Sequence, residues 1–132
     1  MGLFDDDKEN IIYDFERLIK YLKLAMQNIN EKKEDIIDEL KRWKSETTID
    51  ELNESLPIIL KKVTNWYEMY KKTGNILEIS LKEYDWVSKE TSYILGECAL
   101  VDDLYAEIIH FVIGNIGSEM CDAIRNGGKT NE

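Results

Sequence analysis

Residues 12–29 read IYDFERLIKYLKLAMQNI, and their apolar members Ile12, Phe15, Leu18, Ile19, Leu22, Ala25, Met26 and Ile29 recur at steps of three and four. Such steps keep one face of a helix of about 3.6 residues per turn apolar; a half-buried strand would alternate every second residue. The same beat is nearly continuous through the chain, two-residue alternation is sustained nowhere, and only one proline and seven glycines interrupt it. The sequence therefore predicts an all-α chain whose first stripe faces a core.

Working outward from that stripe, Asp6 with Glu9 reads as a capping box that opens the first helix. The beat falters between Asn28 and Lys33 and resumes at Ile36, Ile37, Leu40 and Trp43. This predicts one long helix over 7–45, weakened or broken near residue 30. Thr48 with Glu51 repeats the capping-box pattern. Pro57 lacks an N–H and suits a first turn, so a break is expected before it, with Ser55 capping a fresh segment that stops at Gly74. The buried stripe of this region is expected to be Leu56, Leu60, Val63, Trp66, Tyr67 and Tyr70.

A third helix is predicted over 76–100 and carries more apolar columns than one seam requires. Leu77/Tyr84/Thr91/Cys98 and Val87/Ile94/Val101 read as core, and Leu81/Ser88/Leu95 widens it. Ile79/Trp86/Tyr93/Leu100 is left as a flank, and Glu83, Glu90 and Glu97 form an acidic rail at seven-residue spacing. The last helix, 102–125, starts at Asp102 or Asp103, is apolar nearly all round and is expected to be the most buried. Gly114 and Gly117 within it point to close approach of another backbone. Four helices, 7–45, 49–73, 76–100 and 102–125, joined by short connections, predict an antiparallel four-helix bundle. A chain of 132 residues is one domain's worth, with residues 1–6 and 127–132 expected to fray.

Apolar residues make up 43% of the chain and charged residues 33%, too apolar for a disordered polyanion and too charged for a membrane protein. There are 27 acidic side chains against 17 basic ones, a net charge of −10 that repels phosphate backbones and anionic lipid. Residues 1–16 hold six acids and one base, residues 17–76 ten and twelve, and residues 77–132 eleven and four. Direct nucleic-acid binding and membrane partners are thus unfavoured. Cys98 and Cys121 lie in apolar stretches without metal-like spacing and read as buried, reduced thiols of a cytoplasmic protein. The bias towards Ile and Lys over Ala and Arg matches an AT-rich genome.

One spot holds candidate chemistry. Glu107 and His110 form a Glu-x-x-His pair one turn after Asp103, and helical bundles build metal sites from such pairs on facing helices. Glu90 and Glu97 would supply the other side, for Mg²⁺ or Mn²⁺ in a metal-dependent phosphohydrolase. A di-iron bundle needs a second Glu-x-x-His pair, and this chain has one histidine. MazG-type nucleotide pyrophosphohydrolases pair an E-E-x-x-E run with a later E-x-x-D, an order that these acids do not reproduce. A solvated acidic edge and a boundary histidine account for the same residues. Nucleophile motifs, phosphate-cradling glycine loops and Cys-x-x-Cys pairs are absent from the sequence. Lys61, Lys62, Lys71 and Lys72 give the second helix a basic edge, expected against the rail or in solvent.

The remaining signal is aromatic. Trp43, Trp86 and Tyr93 sit at or beyond the predicted seams, and such rings anchor macromolecular contacts unless a neighbouring helix covers them. The sequence reading favours a non-catalytic acidic binding protein of the inhibitor, immunity or phage anti-defence type. It would occupy a basic surface on a partner protein through Glu83, Glu90, Glu97, Trp86, Tyr93 and Trp43, with no cofactor. Alternatives are the metal-dependent phosphohydrolase and a structural homo-oligomer formed through the flank.

Overall fold

Thr48 opens one helix as the sequence predicts: its hydroxyl accepts the Glu51 N–H at 3.2 Å. Gly74 closes the same helix in the left-handed region at φ 67°, its N–H donating to the Tyr70 carbonyl at 2.7 Å. A computed structural model describes the backbone of residues 2–42, 44, 46, 48–97 and 103–127, and their side chains except at 2–9, 94–97 and 103–106. These residues form five α-helices: α1 (Gly2–Glu31), α2 (Lys33–Arg42), α3 (Ile49–Thr73), α4 (Leu81–Glu97) and α5 (Asp103–Arg125). A 3-10 turn, Ile76–Glu78, joins α3 to α4. The protein is all-helical, with no strand among the described residues. None of the described helices is long and apolar enough to cross a membrane.

The backbone of α1 is helical from Gly2, so Asp6 lies within the helix and does not cap it. Aspartates near a helix N-terminus favour the positive end of its dipole, which suits an earlier start. The buried residues are Ile11, Phe15, Leu18, Leu22, Ala25 and Ile29, at alternating steps of four and three. Ile12, Ile19 and Met26 are only half-buried, so the expected stripe is rotated towards Ile11. The predicted long helix is interrupted at Lys32 and ends at Arg42. The hydrogen-bond ladder nonetheless passes through the interruption, because Lys32 N–H donates to Asn28 and the Lys32 carbonyl accepts from Ile36, both at 3.0 Å.

The break expected before Pro57 does not occur. α3 runs unbroken through the proline, and Ser55 sits inside the helix without capping anything. An interior proline costs roughly 3 kcal/mol. The face formed by Leu52, Leu56, Ile59, Val63, Trp66 and Tyr70 is buried along the whole helix and outweighs that cost, at about 1.5–3 kcal/mol per large side chain. After Gly74 the Asn75 side chain accepts the Leu77 N–H at 3.0 Å and starts the 3-10 turn. Ile79 follows in extended backbone and is buried, 1% exposed. The flank assigned to Ile79 is therefore corrected: helical phase begins only at Leu81, so Ile79 does not share a face with Trp86 and Tyr93.

α1 packs against α5 and α3, α4 packs against both α3 and α5, and the 3-10 turn tucks against α3 and α5. In α5 the buried residues Ile109, Val112, Ile113, Ile116 and Met120 share one face. All-round burial does not occur, since Phe111 is 61% exposed and Cys121 is an exposed free thiol. Cys98 lies outside the described residues. Gly117 does admit a close neighbour, but that neighbour is a side chain: a Cβ there would overlap the Tyr84 hydroxyl, which donates to the Ile113 carbonyl at 2.7 Å.

Candidate functional site

Seven-residue spacing places Glu83, Glu90 and Glu97 along one edge of α4, and at Glu83 and Glu90 packing turns that edge into the seam with α3. The Trp66 indole N–H donates to Glu83 Oε2 at 3.2 Å, and the Ser55 hydroxyl donates to Glu90 Oε1 at 3.3 Å. Between them, Lys62 Nζ lies 5.6 Å from the centre of the Trp86 ring. As positions fall from 66 to 55 on α3 they rise from 83 to 90 on α4, so the two helices run antiparallel. Glu83 and Glu90 are half-buried, each holding a polar group of the neighbouring helix. The rail is thus a bonded boundary and not a freely solvated edge. The side chain of Glu97 lies outside the described residues.

Beyond this seam the rings emerge. Trp86 is 38% exposed and Tyr93 48%. Two turns separate them, about 10 Å along the axis, so they share one outward face. Lys89 stands between them, paired with Asp85 at 2.9 Å, and Lys62 covers one side of the indole. Ile58, 48% exposed, lies one turn before Lys62 on α3 and extends the apolar part of the surface. Rigid rings, an aliphatic side chain and long lysine stems exposed together favour contact with a macromolecule. Trp43, expected to join them, lies outside the described residues.

The metal alternative draws its residues from different places. Glu107 and His110 are exposed on α5, whereas Glu90 is tied to Ser55 on α3. Asp103 begins α5, and its side chain and that of Glu97 lie outside the described residues. Among the described residues no three His, Cys, Asp or Glu side chains gather as a cation site requires.

Two further features were not legible as sites. Arg17 lies with its guanidinium 4.8 Å from the Tyr13 ring and 5.8 Å from the Phe111 ring, and pairs with Asp14 at 2.6 Å. Only tertiary packing brings Phe111 of α5 to α1, so no local pattern could reveal it. The other is a groove between α4 and α5 beside Tyr84, whose phenol is held above its ordinary value of 10.0 by burial first and then by Cys121. The helix-interior glycines 114 and 117 were the available signal for it. Compared with known proteins, the chain matches no family model, no curated protein and no solved structure.

Proposed function

We propose that the chain is a non-catalytic acidic binding protein, of the inhibitor, immunity or phage anti-defence type, that occupies a basic surface on a cytoplasmic partner protein. The observation that carries this reading is the joint exposure of Trp86 and Tyr93 on one face of α4. Large rings left at the surface cost solvation, and they contribute most when a partner desolvates them. In this reading the rings anchor the complex, and Glu83, Glu90, Glu97 and Trp43 are the further residues assigned to the contact. The antiparallel arrangement of α3 and α4 supports an antiparallel four-helix bundle as the rigid platform, which lowers the entropy cost of docking. The net charge of −10 speeds encounter with a basic surface.

The test is capture from the native host with the wild-type chain and with a Trp86→Ala/Tyr93→Ala double variant. The expected result is a partner retained by the wild type, lost by the variant at unchanged melting temperature, and associating more slowly as ionic strength rises. A partner held equally by both chains, or with an on-rate indifferent to salt, overturns the proposal.

A further inference from the structure

Asn126 and Gly127 follow Arg125, the last residue of α5, and both are exposed. This is the single Asn-Gly step of the chain: the other eight asparagines precede isoleucine, glutamate or tryptophan. The side-chain amide of an asparagine is an electrophile for the peptide nitrogen that follows it, and a side chain on the following residue crowds that approach. Gly127 has none. Its φ of 93° lies in the left-handed region, and a Cβ there would meet nothing within 4 Å among the described residues.

A helix interior blocks this attack, because the hydrogen-bond ladder holds each peptide nitrogen away from the preceding side chain. Six of the other asparagines lie inside α-helices, and Asn75 commits its side-chain oxygen to the Leu77 N–H at 3.0 Å. At Asn126 the ladder runs out. The Asn126 N–H still donates to the Asp122 carbonyl, but the Gly127 N–H is held by one turn bond to the Ile124 carbonyl, both at 3.0 Å. Helix ends open at almost no free-energy cost, so this nitrogen is often released.

We propose that Asn126 is a self-modifying site, converted to aspartate and isoaspartate without an enzyme. The Gly127 nitrogen bonds to Asn126 Cγ as the Cγ–Nδ2 bond breaks, and Nδ2 leaves as ammonia with the proton that the peptide nitrogen gives up. A water molecule from solvent then opens the five-membered imide. Attack at Cγ leaves aspartate; attack at the main-chain carbonyl carbon leaves isoaspartate, with the backbone rerouted through the former side chain. Either product adds one negative charge to a chain of net charge −10, four residues beyond Asp122 and at the negative end of the α5 dipole. Conversion therefore weakens the final turn, where Arg125 pairs with Asp122 at 3.6 Å. It involves neither Trp86 nor Tyr93 and stands apart from the docking surface.

The experiment incubates the wild type and Asn126→Gln at mildly alkaline pH, each folded and in guanidinium chloride, and digests samples with trypsin over time. Cleavage after Arg125 and Lys129 releases residues 126–129 as one peptide, whose asparagine, aspartate and isoaspartate forms separate by chromatography. Both acid forms should grow in the folded wild type at a rate within about tenfold of the unfolded chain, with one ammonia released per chain converted. Asn126→Gln, which would have to close a six-membered imide, should release none over the same period. A folded wild type that falls below that tenfold limit overturns the proposal, because the bond from Gly127 to Ile124 then shields the nitrogen. So does ammonia release from Asn126→Gln at the wild-type rate, which would place the reaction at another residue.

Discussion

The indole N–H of Trp66 reaches across the α3–α4 seam to the Glu83 carboxylate at 3.2 Å, and Trp66 is only 2% exposed. A buried donor left without an acceptor costs about 1–3 kcal/mol. Glu83→Leu is therefore expected to lower stability by that amount in urea unfolding. Glu83→Gln, which keeps an acceptor oxygen, should stay within about 1 kcal/mol of the wild type. Equal losses in the two variants would show that the bond contributes little.

Gly117→Ala forces the Tyr84 ring from its place and weakens its bond to the Ile113 carbonyl. The expected outcome is a loss of about 1–3 kcal/mol despite the better helix propensity of alanine. In a Tyr84→Phe background the overlapping hydroxyl is gone, so the same substitution should cost less. A double-mutant cycle checks the difference.

Tyr84 also makes the protein sensitive to alkali. Burial raises its phenol above 10.0 in the folded state, so the folded chain holds this proton more tightly than the unfolded one. The stability linked to it is fully present below pH 10.0 and falls as pH rises from there through the folded-state value. Tyr84→Phe should flatten that part of the alkaline decline, measured as unfolding midpoints on either side of this range. An unchanged slope would mean the phenol is not the group responsible.

Millimolar Mg²⁺ or Mn²⁺ is expected to leave the melting temperature unchanged, because Glu107 and His110 face solvent on α5 while Glu90 bonds Ser55. A metal-specific rise in thermal unfolding would restore the phosphohydrolase alternative.

Helix content and most of the buried set were legible in the sequence because periodicity records which face avoids water. Thr48 and Gly74 were legible for a local reason, since a cap needs only its neighbours in the chain. Pro57 misled because local chemistry argued for a break that burial of Leu52, Leu56 and Ile59 overrides. Ile79 misled because seven-residue columns were extended through a segment that is not α-helical. Of the candidate site, counting apolar columns singled out Trp86 and Tyr93 as surplus rings but left open whether a neighbouring helix covers them, and only the packing shows them exposed. The engagement of Glu83 and Glu90 did not, because their partners Trp66 and Ser55 lie 17 and 35 residues away.

Pro57 contributes no amide proton, so the Asn53 carbonyl lacks the partner that a helix supplies four residues on. The opening turns of α3 are thus fastened to the remainder by one rung fewer, and deuterium uptake should enter from Ile49 and slow sharply beyond the proline. Ser55 sits on the looser side of that boundary and Trp66 on the firmer. Breathing at this end would release Glu90 while Glu83 stays clasped, so α4 is pinned at its beginning and loosely tethered further along.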